Sequence, residues 1–302
     1  MIDAYLGFLL FVLLKISGGA IIDGTKPLAP KSDAALDLLA SRKYCGYQHV
    51  DDYNRENDNI SIDEFPWIAQ LLYGQDKKVL CTGSLINKRY VLVTAHCLVS
   101  GRTPLTGVRL GDFNVTSDKD CIKHRDFGEE CSDPAEVFEI EETIPHPEFN
   151  GSYDNGNDIG LVRLSRDVQY SEYVRPICLP NQESVELRDD EELAVSGWGT
   201  LGDFKNLTEI KKKISVKLVA LDECQEKFKT VRVTVGPNVL CALERNFVTC
   251  RGDSGGPLMR SVKNQWEAIG VLSFGLRCDR GYPALYTDIL KYINWIKENL
   301  RK

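Results

Sequence analysis

The sequence lacks both an excess of positive charge and any long apolar run. Lysine and arginine together number 37, against 44 aspartate and glutamate residues, which gives a formal net charge of -7. Affinity for nucleic-acid phosphates depends on excess cationic side chains, so this balance argues against a nucleic-acid partner. The apolar run at residues 6–14 is shorter than the roughly 20 residues that cross a bilayer. We therefore predict neither nucleic-acid binding nor a membrane span.

Sequence motifs that bind metals are missing as well. There is no Cys-x-x-Cys pair and no His-Glu-x-x-His run, and the 4 histidines lie far apart. We expect no metal and no other cofactor. A loop with Asp118, Asp120, Glu129 and Glu130 has two interpretations, a calcium site or a solvated cluster of charges, and the second is the more common.

The N-terminal region is typical of an exported protein. Small residues follow the apolar run at 6–14, so residues 1–20 are predicted to be a signal peptide, with a buried helix as the alternative. The 10 cysteines favour an oxidising compartment. Asn-x-Ser/Thr sequons, which are candidate glycosylation sites, begin at Asn59, Asn114, Asn150 and Asn206. We expect a secreted glycoprotein in which residues 21–44 are a propeptide or linker.

Residues 45–302 have the pattern of an all-β domain. Short β-rich runs, such as residues 90–93, 214–219 and 268–273, are bounded by turn residues. At the C-terminus, apolar residues recur with a helical spacing, which predicts a terminal helix that docks on the domain through one face. That face comprises Ile289, Ile293, Ile296 and Leu300.

Three short motifs carry the groups that hydrolyse a peptide bond. An alcohol nucleophile needs an imidazole to accept its proton and a carboxylate to orient that imidazole. Ser254 lies in the run Gly-Asp-Ser-Gly-Gly-Pro, His96 follows the strand-like residues 90–93, and Asp158 precedes an apolar run. Alone, His96 would more often be structural and Asp158 a solvated turn residue. Together they predict a catalytic triad.

These motifs resemble those of the chymotrypsin family of serine proteases, whose triad occurs in the same chain order. Further likeness comes from Pro66 with Trp67, from Gly197-Trp198-Gly199, and from Ser273-Phe274-Gly275. The resemblance implies two antiparallel β-barrels with the triad in the cleft between them, and backbone N–H groups of Gly252 and Ser254 as the oxyanion hole.

Within this family the sequence is most similar to arthropod clip-domain proteases. The similarity rests on residues 63–67 (Asp-Glu-Phe-Pro-Trp), the loop from Cys121 to Cys131, and residues 173–180 (Tyr-Val-Arg-Pro-Ile-Cys-Leu-Pro). A clip domain would need six cysteines upstream, where only Cys45 is found. The resemblance implies protein substrates in an immune or clotting cascade, with cascade proteases or serpin-type inhibitors as partners.

The resemblance also implies which cysteines pair and which residues form the specificity pocket. The implied pairs are Cys45 with Cys178, Cys81 with Cys97, Cys121 with Cys131, Cys224 with Cys241, and Cys250 with Cys278. The pocket residues are Val248, Ser273, Gly275 and Ala284. Val248 stands where trypsin-like enzymes carry an aspartate that binds Arg or Lys, and Ala284 replaces a more usual glycine, so we expect an apolar and somewhat shallow pocket.

The activation start of the family is missing. Relatives are zymogens in which cleavage frees an Ile amine that pairs with the aspartate before the nucleophile, here Asp253. That Ile lies twelve residues before the Pro of Pro-Trp, which is position 54, and the residue there is Asn54. Three interpretations remain open: an active endopeptidase, a non-catalytic or zymogen-locked regulator, and a gene model that is wrongly joined between Ala40 and Pro66.

Overall fold

The computed structural model describes most of the chain, and the described residues belong to one compact unit, Asp33–Lys302. They are residues 38–49, 60–99, 101, 103–124, 128–152, 156–181, 184, 186–199, 208–244, 253–276 and 281–302. The predicted signal peptide and the sequons at Asn59 and Asn206 lie outside them.

The described residues form strands β1 to β15 and helices α1 to α3. The first strands are β1 (Ile68–Tyr73), β2 (Lys78–Leu85), β3 (Tyr90–Val93), β4 (Leu105–Leu110), β5 (Cys121–His124), β6 (Gly128–Cys131), β7 (Glu136–Phe138), β8 (Ile140–Pro145) and β9 (Gly160–Leu164). The later strands are β10 (Glu192–Gly197), β11 (Lys212–Val219), β12 (Val239–Glu244), β13 (Pro257–Ser261), β14 (Trp266–Phe274) and β15 (Ala284–Asp288). The helices are α1 (Ala95–Val99), α2 (Leu221–Lys229) and α3 (Ile289–Asn299).

The first half of the domain is a seven-stranded antiparallel sheet in the order β7-β4-β1-β2-β3-β9-β8. Every residue of β1, β3 and β9 is buried, so these central strands have side chains packed on both faces. Their core contains Leu71, Leu92, Phe138 and Leu161, which have no exposed surface beyond 1%. Full burial of such a side chain stabilises the fold by about 1.5–3 kcal/mol.

The second half is a closed six-stranded barrel, β10-β11-β12-β15-β14-β13. Closure leaves this barrel without an unpaired strand edge. The inner side chains include Val216, Leu258, Ile269 and Tyr286, each at most 3% exposed. The all-β class and the two barrel-like sheets agree with the expectation from sequence, and helix α2 is an addition that the sequence pattern did not predict.

The C-terminal helix α3 docks on the domain as predicted. Ile289 and Ile296 are fully buried, Leu300 is 7% exposed, and Ile293 is partly buried against the same core. Asp288 caps the helix by accepting a hydrogen bond from the backbone N–H of Leu290 at 3.0 Å. Strand β15 ends at Asp288 and helix α3 begins at Ile289, so the helix follows the barrel without a connecting loop.

The chain upstream of Cys45 also packs on the domain where it is described. Cys45 forms a disulfide with Cys178, and Gln265 donates its side-chain amide to the carbonyls of Arg42 and Cys45. Arg42 pairs with the carboxylate of Glu267, a residue only 2% exposed. Packing therefore extends upstream of the boundary predicted at residue 45.

Candidate active site

His96 and Asp158 are brought together by the pairing of two central strands. β3 pairs with β9 so that Val93 lies opposite Gly160. His96 follows Val93 on the short helix α1, and Asp158 precedes Gly160, so both lie at the same edge of the sheet. The disulfide between Cys81 and Cys97 fixes the residue next to His96 to strand β2.

The carboxylate of Asp158 is buried and fully hydrogen-bonded. It has no exposed surface, and it lies 2.7 Å from Nδ1 of His96 and 2.9 Å from the backbone nitrogen of the same residue. The Ser273 hydroxyl donates to it at 2.6 Å, and Thr287 donates to its main-chain carbonyl at 2.9 Å. Because Nδ1 donates to this carboxylate, Nε2 of His96 is left as the proton acceptor.

Ser254 lies in a tight turn that precedes strand β13. The next residue, Gly255, has a φ of +85°, a conformation that side-chain-bearing residues rarely adopt, and a Cβ there would lie 2.3 Å from the carbonyl oxygen of Thr82. The turn is closed by a bond from the backbone N–H of Gly256 to the carbonyl of Asp253 at 2.8 Å. Ser254 itself is half-buried. The predicted oxyanion residue Gly252 lies outside the described residues.

Asp253 points its carboxylate at the Gly-Trp-Gly segment that follows β10. The backbone N–H of Gly199 donates to Oδ1 at 2.8 Å. A Cβ on Gly197 would lie 2.0 Å from the same oxygen, so this position has room only for glycine. The glycines of this segment thus allow the close approach of the acidic side chain.

A cavity of about 50 Å³ opens beside Ser254. The residues that line it are Val195, Ser196, Asp253, Ser254, Gly256, Pro257, Leu272, Phe274, Gly275, Ala284 and Tyr286. Gly275 and Ala284, which the sequence assigned to the specificity pocket, both line this cavity, and a Cβ on Gly275 would meet nothing within 4 Å. Val248 lies outside the described residues.

Ser273 occupies a different place from the one that the sequence assigned to it. Its neighbours Leu272 and Phe274 line the cavity, whereas the Ser273 hydroxyl binds the Asp158 carboxylate. The assignment to the pocket wall is corrected: Ser273 lies in a β-bulge between Leu272 and Phe274, and its hydroxyl is directed at Asp158 instead.

Four disulfides are present in the described chain: Cys45–Cys178, Cys81–Cys97, Cys121–Cys131 and Cys224–Cys241. They are four of the five pairs that the resemblance implies. Cys250 and Cys278, the fifth pair, lie outside the described residues.

In the acidic loop, the candidate calcium site, Asp120 has hydrogen-bond partners within the protein. The buried Asp120 carboxylate already accepts hydrogen bonds from the backbone N–H groups of Phe113 and Asn114, at 2.9 and 3.1 Å, and from the Ser117 hydroxyl. Lys211, 4% exposed, places a positive charge near Asp112 and Asp120. A second cation there would be repelled.

The other acidic residues of the loop face solvent or lie beside a disulfide. Asp118 and Glu129 are exposed, and Glu130 is half-buried. Among the described residues, the two groups of potential metal ligands both include disulfide-bonded cysteines, Cys81 with Cys97 and Cys121 with Cys131. Disulfide sulfurs lack the thiolate charge that binds metals.

The two sequons that the structure describes differ in exposure. Asn150 is exposed, and its side-chain carbonyl accepts a hydrogen bond from the backbone N–H of Ser152 at 3.0 Å. Asn114 is half-buried and bonds Thr116 in a similar local turn. Within the described residues, no helix is long and apolar enough to cross a membrane.

Sequence reasoning assigned no role in the site to three residues that support it. Gly199 holds the Asp253 side chain, Thr287 holds the Asp158 main chain, and Thr82 holds the turn of Ser254. Gly199 and Thr287 lie in motifs, Gly-Trp-Gly and Leu-Tyr-Thr, that carry no catalytic group. Neither motif identifies a partner for these residues, since the partners lie far away in sequence.

Comparison with known proteins agrees with this architecture. The family model described as Trypsin matches residues 55–296. CLIP domain-containing serine protease B10 of Anopheles gambiae is 37% identical over 294 residues, which covers 93% of this chain and 79% of that protein. Phenoloxidase-activating factor 1 of Holotrichia diomphalia is 39% identical over 278 residues, covering 85% and 72%.

A solved structure is similar as well. The crystal structure of the drosophila Grass clip serine protease of the Toll pathway superposes with a TM-score of 0.70 at 26% identity, covering 84% of this chain and 73% of that one. The family match, the relatives and the fold agree with the resemblance stated from sequence. This chain belongs to the trypsin family of serine proteases, and its relatives include arthropod clip-domain proteases.

Proposed function

We propose that the protein is a secreted endopeptidase that cleaves peptide bonds through an acyl-enzyme on Ser254. The observation that carries the proposal is the bond from His96 Nδ1 to the buried Asp158 carboxylate at 2.7 Å. This bond fixes the imidazole tautomer in which Nε2 can accept a proton. The nucleophile turn lies against the same region of strand β2, because Thr82 donates its N–H to the Ser254 carbonyl at 2.8 Å.

The reaction proceeds in two halves. Ser254 Oγ attacks the peptide carbonyl while His96 Nε2 takes the hydroxyl proton, and the proton is then given to the leaving amine. In the second half, water attacks the acyl-enzyme in the same way, and His96 again acts as base and then as acid, returning the proton to Ser254. Asp158 stays ionised and stabilises the imidazolium that forms in each half.

The proposed biological setting is a proteolytic cascade outside the cell. Support comes from relatives named phenoloxidase-activating factor 1 and melanization protease 1. Disulfides in the described domain suit an oxidising compartment. Protein substrates, neighbouring cascade proteases and serpin-type inhibitors are the partners that this setting implies.

One sequence feature favours a second function. Asn54 occupies the position of the activating Ile, so the protein is alternatively a zymogen-locked or non-catalytic homologue that acts as a regulator or binding module. The presence of Ser254, His96 and Asp158 favours the enzyme. Both alternatives predict the same fold and differ in the reactivity of Ser254.

Labelling with a fluorophosphonate probe separates the two functions. The intact chain, the chain cut after Arg55 and a cleavable form are compared. The cleavable form carries Asn54→Ile, Arg55→Val, Glu56→Gly and Asn57→Gly behind an engineered cleavage site. Labelling at Ser254 in the intact chain or in the chain cut after Arg55 supports the endopeptidase. Labelling only in the cleavable form supports a zymogen-locked homologue with a complete triad, and labelling in none of them supports a non-catalytic regulator.

A further inference from the structure

Thr82 of strand β2 binds the turn that carries Ser254 through both its backbone and its side chain. The backbone N–H of Thr82 donates to the Ser254 carbonyl at 2.8 Å, and its hydroxyl donates to the Asp253 carbonyl at 3.0 Å. We propose that Thr82 is a positioning residue that sets the nucleophile turn relative to His96. The proposal rests on the proposed function, because it assigns a role in placing Ser254.

The hydrogen bond from the Thr82 hydroxyl to the Asp253 carbonyl is made inside the protein. Thr82 has no exposed surface, so its hydroxyl cannot exchange this partner for water. The same carbonyl of Asp253 accepts from the Gly256 N–H at 2.8 Å, so the hydroxyl and the amide meet on one oxygen. The two donors together fix the plane of the peptide that joins Asp253 to Ser254.

Packing allows little movement of the turn away from this position. A Cβ on Gly255 would lie 2.3 Å from the Thr82 carbonyl oxygen, and one on Gly256 would lie 2.8 Å from the Thr82 hydroxyl. The opposite side of the turn is held by β14, because Gly255 donates to the Leu272 carbonyl at 2.8 Å. The turn is therefore bound between Thr82 and Leu272.

Strand β2 also fixes the general base. Cys81, the residue before Thr82, forms the disulfide with Cys97, which follows His96. The consecutive residues Cys81 and Thr82 of strand β2 thus hold two parts of the site. Cys81 holds Cys97, the neighbour of the base, and Thr82 holds the turn that carries the nucleophile. Because these contacts lie within the described domain, the attachment of the turn needs no newly cut N-terminus.

The test compares Thr82→Ala with Thr82→Ser, two variants that differ only in the hydroxyl. In the cleavable form, we expect Thr82→Ala to lower the rate of Ser254 labelling and kcat about tenfold, with KM nearly unchanged, since one buried hydrogen bond is lost. Thr82→Ser should recover most of the rate. Thr106→Ala is the matched control, because the Thr106 hydroxyl also bonds a main-chain carbonyl, that of Leu72 at 3.0 Å.

Hydrogen exchange gives a second measurement that does not need activity. In Thr82→Ala, the amides of Gly255 and Gly256 should exchange faster than in Thr82→Ser. Equal labelling and equal exchange in the two variants would overturn the proposal. If Ser254 is unreactive in every sample, the proposed function fails, and the exchange data alone then decide the role of Thr82.

Discussion

The backbone N–H of Gly199 binds the carboxylate of Asp253 with 2.8 Å between nitrogen and oxygen. The carbonyl of the same aspartate is bound by the Thr82 hydroxyl at 3.0 Å. Side chain and main chain of Asp253 are therefore held by different parts of the fold.

The catalytic assignment predicts a large effect of removing the nucleophile. Ser254→Ala in the cleavable form should lower turnover by a factor on the order of 10⁴ to 10⁶, because the attacking oxygen is lost while binding remains. His96→Ala should have an effect of similar size. The measurement is kcat on a peptide substrate, with Ser261→Ala, an exposed serine of strand β13, as control. Full activity of Ser254→Ala would refute the assignment.

The cavity beside Ser254 is the candidate specificity pocket, and we predict cleavage after apolar residues. The cavity walls include Val195, Leu272 and Phe274, and a Lys or Arg buried there would lose hydration. Asp253 also lines the cavity, but its carboxylate already accepts the Gly199 N–H. Profiling with a peptide library should therefore give apolar residues before the scissile bond. Val248→Asp is the informative variant, since it places a carboxylate where trypsin-like enzymes carry one and should increase cleavage after Arg. A native preference for Arg or Lys would contradict this prediction.

Activation by a trypsin-like cut is predicted to fail. Arg55 is the basic residue near the expected junction, and cutting after it leaves Glu56 as the new N-terminus, two residues downstream of position 54. The new amine would fall short by roughly 7 Å at about 3.4 Å per residue. The Glu56 side chain would also bring a negative charge toward Asp253, and like charges removed from water repel.

Burst labelling of Ser254 measures this directly. We expect slow or absent labelling in the intact chain and in the chain cut after Arg55, and fast labelling in the cleavable form after cutting. Equal, fast labelling of all three samples would mean that the Gly199 bond to Asp253 is sufficient to form the site. In that case the site would be constitutively formed.

Lys211 predicts an unusual dependence of stability on pH. Burial lowers the pKa of its ammonium to about 8, although Glu64, Asp112, Asp63 and Asp120 act in the opposite direction. Between pH 8 and 10 the unfolded chain therefore binds a proton that the folded chain has released. Stability should rise with pH in this window, by at most about 1.4 kcal/mol per pH unit.

The control for this prediction is Lys211→Met, which removes the titrating group. Urea unfolding at pH 8, 9 and 10 should show the native chain gaining stability relative to this variant. A difference that does not change with pH would contradict the prediction.

Calcium or a chelator should leave the unfolding midpoint of the native chain unchanged, because Asp120 already accepts three hydrogen bonds.

Sequence predicted those parts of the molecule that depend on local pattern. The strand at residues 90–93 coincides with β3, and the apolar face of α3 follows from the spacing of its isoleucines. His96, Asp158 and Ser254 could be identified as candidate catalytic residues because each lies in a short motif with a defined chemistry.

Contacts between distant residues could not be predicted in this way. Gly199 and Asp253 are 54 positions apart, and Thr82 and Asp253 are 171 apart, so only the folded barrels bring them together. The side chain of Ser273 was assigned to the pocket face of β14, which is wrong, because the motif does not indicate which residues of the strand face the pocket. The direction of each side chain follows from strand register, which the sequence motifs leave open.

The disulfide between Cys45 and Cys178 determines what a cut at Arg55 would produce. The bond joins the segment before the cut to the body of the domain, across 133 positions of sequence. A cleaved molecule would therefore keep its upstream peptide and migrate as one species until a reducing agent is added. Processing of this protein in tissue extracts would be visible only on reducing gels, and the retained peptide would travel with the protease to its substrate.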